Sequence, residues 1–235
     1  MSSGSGRQLI LDLPHRPALG REDFLVSRSN AEAVAFIDRW PSWPVRTLAL
    51  AGPPGSGKTH LAEVWRRMSN AETIAADRLC EAHVPPLLAK GALVVEDAPG
   101  LGLDERALFH LLNLAREQGA YLLLTSRESP TGWKLTLPDL TSRLKAIPAA
   151  ALGPPDDDLL RSVLVKLFAD RQIAVDEAVV SYLVARIPRA LGAADSLVAE
   201  IDRRALEEKA EVTRMFVGRV LAGLEELRLS GDEGD

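Results

Sequence analysis

Residues 52 to 59 have the types and spacing of a loop that binds phosphate groups. The stretch Gly-Pro-Pro-Gly-Ser-Gly-Lys-Thr satisfies the pattern G-x-x-x-x-G-K-S/T in full. In such a loop, backbone N–H groups at a helix N-terminus surround a di- or triphosphate, Lys58 reaches the outer phosphates, and the Thr59 hydroxyl takes a position on Mg²⁺. A chance Gly/Pro turn is the weaker alternative. The predicted nucleotide-binding residues here are Gly52, Pro53, Pro54, Gly55, Ser56, Gly57, Lys58, Thr59 and His60.

Two carboxylates follow a later apolar strand. Leu93-Val94-Val95 runs directly into Glu96 and Asp97. Beside a phosphate-binding loop, an acid at this place belongs to the Mg²⁺ shell, and a second acid orients the attacking water, so both are candidate catalytic residues. The alternative is a buried strand that merely reaches solvent. Glu96 stands where aspartate is usual, and Mg²⁺ tolerates a displaced carboxylate poorly, so we do not expect vigorous hydrolysis by this chain itself.

The elements that must position these residues alternate between strand and helix. Predicted strands are Thr47–Ala51, Thr73–Ala76, Ala92–Glu96, Tyr121–Ser126 and Ile147–Leu152, and predicted helices are Ala31–Arg39, Lys58–Ser69, Asp104–Gln118 and Pro138–Lys145. Such alternation predicts an α/β domain with a parallel sheet flanked by helices. After Gly153-Pro154-Pro155 the pattern is wholly helical: Asp156–Arg171, Asp176–Arg186, Arg189–Lys209 and Val212–Leu227.

These patterns divide the chain into four parts. We expect a tail at 1–20, a nucleotide-binding α/β domain at 21–153, a small all-α lid at 154–228 and an acidic end at 229–235. Formal net charge is −5, with basic residues interspersed among acids, so direct DNA binding is not the default. The four histidines are too far apart for a metal site built by protein alone. The absence of a secretory signal, of an apolar membrane span and of paired cysteines favours the cytoplasm.

The motifs together resemble the AAA+ superfamily, and within it the Hda/HdaA family of DnaA-related proteins. Gly57-Lys58-Thr59-His60-Leu61 is typical of the DnaA branch, and Leu137-Pro138-Asp139-Leu140-Thr141-Ser142-Arg143-Leu144 resembles the arginine-finger segment of Hda. The resemblance implies that Arg143 acts on a neighbouring subunit's phosphate. It implies a γ-phosphate contact from Thr125 or Ser126, a nucleotide-sensing role for Arg189 at the start of the third lid helix, and an adenine-side segment at Phe24 to Val26. The plainer alternatives are a solvated Arg143, an exposed Arg189 and a core Phe24.

The tail contains a second family feature. Gln8-Leu9-Ile10-Leu11-Asp12-Leu13 resembles the sequence by which Hda docks on the β sliding clamp of DNA polymerase III. A short peptide can place the Gln8 amide as a polar anchor and Leu9, Leu11 and Leu13 in an apolar groove. An edge strand with its leucines on one face is the alternative.

The resemblance implies a negative regulator of chromosomal replication initiation that stimulates ATP hydrolysis by DnaA. ADP or ATP with Mg²⁺ would be its cofactors, the clamp and DnaA its partners, and a homodimer is compatible with the sequence. We expect no sequence-specific DNA-binding module, since few residues follow Leu227 and the stretch from Asp77 to Gly91 is too short for an initiator helix. Two alternatives stay open: an autonomous AAA+ ATPase such as a helicase loader, and an adaptor whose phosphate loop is only structural.

Overall fold

The computed structural model describes residues 20, 21 and 24–231, so Gln8, Leu9, Leu11 and Leu13 lie outside the described residues. Strands are β1 Thr47–Ala51, β2 Glu72–Ala75, β3 Ala92–Glu96, β4 Tyr121–Ser126 and β5 Ala149–Ala151. Helices are α1 Ala31–Asp38, α2 Lys58–Ser69, α3 Val84–Leu87, α4 Glu105–Gln118, α5 Pro138–Lys145, α6 Asp157–Asp170, α7 Glu177–Val184, α8 Leu191–Glu208 and α9 Arg214–Gly231. None of the helices in this part of the chain is long and apolar enough to cross a membrane.

The five strands form one parallel sheet in the order β2-β3-β4-β1-β5, which confirms the predicted α/β class. Because parallel strands all end at the same edge, the segments that follow β1, β3 and β4 emerge side by side. Ala51 at the end of β1 pairs with Ser126 at the end of β4. This edge of the sheet is where α/β folds bind ligands.

Helices cover both faces of the sheet, because successive side chains of each strand point to opposite sides. On β1, Leu48 and Leu50 pack in a core with α1 and α2, whereas Ala49 packs in the core of the other face. On β4, Leu123 joins the first of these cores, and its two neighbours join the second. The near-continuous apolar runs predicted as buried strands are therefore explained by burial on two faces.

The last four helices, α6 to α9, enclose a third core of their own. Aspartates begin two of them: Asp156 accepts a hydrogen bond from the backbone N–H of Leu159 at 2.8 Å, and Asp176 does the same for Val179. Such caps satisfy N–H groups that the first helical turn leaves unpaired. We call this helical segment the lid.

The lid helices differ from their predicted bounds by one to four residues at their ends. Helix α8 begins at Leu191 rather than at Arg189. The N–H of Leu191 donates to the Gly55 carbonyl at 2.9 Å, and Ala190 before it is extended. A contact with the distant loop therefore accompanies the start of this helix.

Candidate functional site

The loop from Gly52 to Thr59 connects β1 to α2. Gly57, the residue before α2, has φ +95°, and Gly55 has φ +75°. This left-handed backbone is open to glycine at little cost and strained for other residues. Lys58 and Thr59 then form the first turn of α2, whose N–H groups have no helical partner. The local geometry is that of an anion-binding helix start.

The Lys58 side chain lies inside this loop. Its Nζ donates to the carbonyl oxygens of Gly52 at 2.8 Å and Pro53 at 2.9 Å, and the residue is buried. Burial lowers the pKa of Lys58, the charge of Asp97 opposes that shift, and the charge of Arg127 adds to it. The Ser56 hydroxyl is also buried and has no hydrogen-bond partner among the described residues. A cation and an unsatisfied hydroxyl in one loop fit the phosphates of a nucleotide.

A cavity of about 780 Å³ opens over this loop, between the sheet edge and the lid. That volume lies in the range of small-molecule and cofactor sites. Its polar side is lined by Lys58, Thr59, Glu63, Thr73, Glu96, Asp97 and Arg127. The cavity thus brings the predicted Thr59, Glu96 and Asp97 together with the loop.

The two acids that follow the apolar part of β3, Glu96 and Asp97, differ in solvent exposure. Asp97 is exposed, has φ +56° and donates its backbone N–H to Thr125 Oγ1 at 3.0 Å. Glu96 is half-buried, and burial raises its pKa, with further contributions from the charges of Asp97 and Glu63. Glu63 itself is held ionised by Arg66 and Arg67, with a pKa of about 2. Glu96 and Glu63 therefore differ: burial disfavours the charged form of the Glu96 carboxyl, whereas two arginines favour that of Glu63.

The Thr59 hydroxyl, Glu96 and Asp97 are oxygen donors, which suit Mg²⁺. No group of three acidic, histidine or cysteine side chains within the described ranges could hold a metal alone. Mg²⁺ bound here would therefore need oxygen atoms of the nucleotide's phosphates as well.

The other side of the cavity is formed by the segment before α1 and by the lid, which contributes the charged side chains of Lys166, Asp170 and Asp195 as well as apolar ones. The Phe24 ring meets the His60 ring edge-on, with centroids 5.1 Å apart. Leu25 lines the cavity, whereas Val26, which the sequence prediction selected, is exposed and does not. The lid contributes the apolar side chains Leu159, Val163, Leu167 and Leu191. Such a surface is suitable for a nucleotide base, and a bound base would contact both the lid and the segment before α1.

Thr125 and Ser126, the residues predicted to contact the γ-phosphate, are buried at the end of β4 and do not line the cavity. Ser126 is fully buried, and its hydroxyl donates to the Glu128 carbonyl at 2.6 Å. Thr125 is buried as well, and its hydroxyl accepts from Asp97 as described above. Neither side chain lines the cavity, but Arg127, the next residue, does. Arg127 is not among the residues predicted from the sequence, although its position directly after a strand at the ligand-binding edge is a signal for such a role.

Arg189 is also placed away from the cavity. It is exposed, and its guanidinium forms an ion pair with Asp157 in the first turn of α6. The cavity is lined instead by Leu191, Gly192 and Asp195 of α8. The structure therefore does not bring Arg189 to the cavity, and the lid meets the phosphate-binding loop through the backbone N–H of Leu191 instead.

Arg143 lies on α5, outside the cavity. Its guanidinium carbon is 5.1 Å from the centre of the Phe109 ring on α4. The side chain is half-buried and forms no ion pair within the described part of the chain. The first turn of α5 is fixed by Glu105 of α4, whose carboxylate accepts from the backbone N–H groups of Thr136 and Leu137. Arg143 thus has a rigid base and no anionic partner among residues 20, 21 and 24–231.

The close approach of lid and loop yields a first prediction. A Cβ built on Gly55 would lie 2.4 Å from Ala190 Cβ, whereas one built on Gly91, which also has positive φ, meets nothing within 4 Å. We expect Gly55→Ala to lower the free energy of unfolding by about 2–4 kcal/mol, because overpacking adds to the left-handed cost of about 1 kcal/mol. Gly91→Ala should lower the free energy of unfolding only by the left-handed backbone cost, because a Cβ there meets no neighbour. Urea denaturation measures both, and equal losses would contradict the lid–loop contact.

Comparisons with known proteins place this geometry in context. No protein-family model matches the sequence. The chain is 21% identical over 238 residues to chromosomal replication initiator protein DnaA 1 of Chlamydia muridarum, covering 90% of this chain and 52% of that protein. It is 28% identical over 182 residues to an uncharacterized protein of Haemophilus influenzae, covering 72% of this chain and 79% of that one. The chain therefore spans about half the length of the chlamydial DnaA.

Solved structures are similar over most of the chain. Domain III of the Thermotoga maritima replication initiation protein DnaA has a TM-score of 0.73 at 20% identity, covering 90% of this chain and 98% of that one. AMPPCP-bound DnaA from Aquifex aeolicus has a TM-score of 0.66 at 16% identity, covering 82% of this chain and 68% of that one. The chain thus has the fold of DnaA domain III, and its sequence is similar to that of DnaA at low identity.

Proposed function

We propose that this DnaA-like AAA+ chain is a negative regulator of replication initiation. It docks on the β sliding clamp through its N-terminal residues and inserts Arg143 into the ATP site of DnaA, where the guanidinium promotes hydrolysis. The observation that carries this proposal is Arg143 itself, an arginine without an anionic partner in the described chain and outside the chain's own cavity. Its function would then lie on another molecule's phosphate.

The surroundings of Arg143 support such a role. The ring of Phe109 is half-buried, and a cation–π contact with such a ring is worth about 0.5–2 kcal/mol, far less than a charge-assisted bond to phosphate can supply in a transition state. A contact with the Phe109 ring uses no N–H group of the guanidinium as a hydrogen-bond donor to an anion, so these groups would remain available to a phosphate. The Glu105 contacts keep α5 in place while the side chain exchanges partners. Phe109 and Glu105 would therefore be positioning residues.

In this proposal, nucleotide bound in the chain's own cavity stabilises the arrangement of the lid on the α/β domain, a role we call the brace function. ADP or ATP bound by Lys58 and Thr59 would contact apolar residues of the lid across the cavity. A ligand that binds only the folded arrangement stabilises it by mass action. Glu96 stands where aspartate is usual, and Mg²⁺ tolerates a displaced carboxylate poorly, which supports slow hydrolysis at this site. This weighs against an autonomous ATPase.

Clamp docking rests on the sequence of residues 8–13. We expect the unchanged protein to stimulate hydrolysis by ATP-loaded DnaA when clamp is present on DNA. The double variant Gln8→Ala with Leu11→Ala should lose clamp binding in calorimetry and need far higher concentration for the same stimulation, because tethering raises effective concentration to about millimolar.

Ser5→Ala, outside the motif, is the matched control for that experiment and should behave like the parent. Unchanged clamp affinity in the double variant would remove the docking part of the proposal. Absence of stimulation by the parent protein, with clamp and DNA present, would remove the regulatory part.

A further inference from the structure

The backbone on both sides of Arg127 is fixed. The N–H of Gly52 donates to the Ser126 carbonyl at 3.1 Å, which joins the end of β4 to the phosphate-binding loop. On the other side, the Glu128 carbonyl accepts from the Ser126 hydroxyl and from Trp133 Nε1 at 3.2 Å. Arg127 therefore starts from a rigid base between the loop and the acids of β3.

Unlike its backbone, the side chain of Arg127 is not held by hydrogen bonds or ion pairs among the described residues. It is exposed, lines the polar side of the cavity, and makes no hydrogen bond or ion pair with residues 20, 21 or 24–231. Glu96 and Asp97 line the same cavity, yet neither approaches within ion-pair distance. The guanidinium is close enough to Lys58 for its charge to lower the pKa of that ammonium. An arginine so placed adds positive potential to the cavity without neutralising its acids.

The remaining polar groups at the end of β4 are already engaged. The Ser126 hydroxyl donates to Glu128, and the Thr125 hydroxyl accepts from the backbone of Asp97. Lys58, at the end of the loop, donates from its Nζ to the carbonyls of Gly52 and Pro53 at the start of the loop. Arg127 approaches from the strand end beside the acids instead. Its planar fork can form two parallel hydrogen bonds to one phosphate.

We propose that Arg127 contacts the terminal phosphate of a nucleoside triphosphate held by the loop, and so determines how strongly this site discriminates a triphosphate from a diphosphate. The inference rests on the nucleotide-binding part of the proposed function, but not on DnaA or the clamp. A diphosphate would reach Lys58 and the loop without reaching Arg127. Loss of the guanidinium therefore weakens triphosphate binding selectively.

The test compares the affinities of AMPPCP and ADP, each with Mg²⁺, by calorimetry. In Arg127→Ala, AMPPCP affinity should fall at least about tenfold while ADP affinity changes less than about twofold, since charge-assisted bonds to phosphate are the strong ones. Arg127→Lys keeps the charge without the fork and should lie between the two. Arg116→Ala is the matched control, because Arg116 is an exposed arginine that does not line the cavity.

Two results would overturn the inference: an equal loss for both nucleotides, or no change for either. Melting curves without nucleotide accompany each variant, and removal of an exposed, unpaired side chain should leave them unchanged. If Arg127→Ala melts early, the ratio of affinities in Arg127→Lys decides the matter. A parent protein that binds neither nucleotide would overturn this inference and the brace function together, whereas the role of Arg143 is tested separately on DnaA.

Discussion

Replacing Arg143 by alanine should return ATP hydrolysis by DnaA to its unstimulated rate, while nucleotide binding by the variant itself stays intact. An arginine supplied by a neighbouring subunit is worth about 10³–10⁵ in the rate of phosphoryl transfer, because its fixed charge stabilises the transition state. Arg143 lies outside the chain's own cavity, so its removal leaves that cavity unchanged. The measurement is single-turnover hydrolysis by ATP-loaded DnaA, with clamp on DNA.

Lys145→Ala is the matched control, since Lys145 is an exposed cation on the same helix. It tests whether general positive charge on α5 is sufficient, and it should retain most of the stimulation. Arg143→Lys should lose most of it, because an ammonium lacks the guanidinium's planar fork. If Arg143→Ala stimulates DnaA like the parent, the arginine-finger assignment is wrong.

The second large effect is expected at Lys58. Lys58→Ala should weaken ADP and ATP binding at least about a hundredfold, because it removes a charge-assisted contact to phosphate in a buried place. It also removes the donor that now satisfies the Gly52 and Pro53 carbonyls, so the empty loop should become less ordered. Fluorescent nucleotide titration measures the affinity.

Lys134→Ala, at an exposed lysine that does not line the cavity, serves as the control for the lost charge. A Lys58→Ala protein with undiminished nucleotide affinity would show that the loop does not hold phosphate through this residue. The brace function would then have no basis.

Most of the α/β framework could be predicted from the sequence, since its signals are local. Runs such as Leu93-Val94-Val95 are apolar on both faces, and the G-x-x-x-x-G-K-T spacing lies between a strand and an amphipathic helix. The predicted strands at Thr47–Ala51, Ala92–Glu96 and Tyr121–Ser126 agree with the structure to the residue. The weaker strand at Ile147–Leu152 is shorter, Ala149–Ala151, and those three residues are in register with Ala49 to Ala51 of β1.

The details of the site could not be predicted in the same way. Ser126 and Arg127 are neighbours, and only Arg127 lines the cavity, because the Ser126 side chain is buried with its hydroxyl bound to the Glu128 carbonyl. The residue types alone do not indicate which of the two side chains is buried. The pairing of Arg189 with Asp157 and the contact of Leu191 with Gly55 join residues far apart in the chain. No local propensity encodes such contacts; they follow from how the lid packs on the sheet edge.

The central claim is that Arg143 acts on ATP bound by DnaA and not on nucleotide bound by its own chain. Two single-turnover experiments separate these possibilities: radiolabelled ATP is loaded on DnaA with unlabelled ADP in this chain, or loaded on this chain with DnaA holding unlabelled ATP. We expect rapid release of labelled phosphate only in the first, and only with Arg143 present. Rapid release in the second alone, or in the first with Arg143→Ala, would contradict the account.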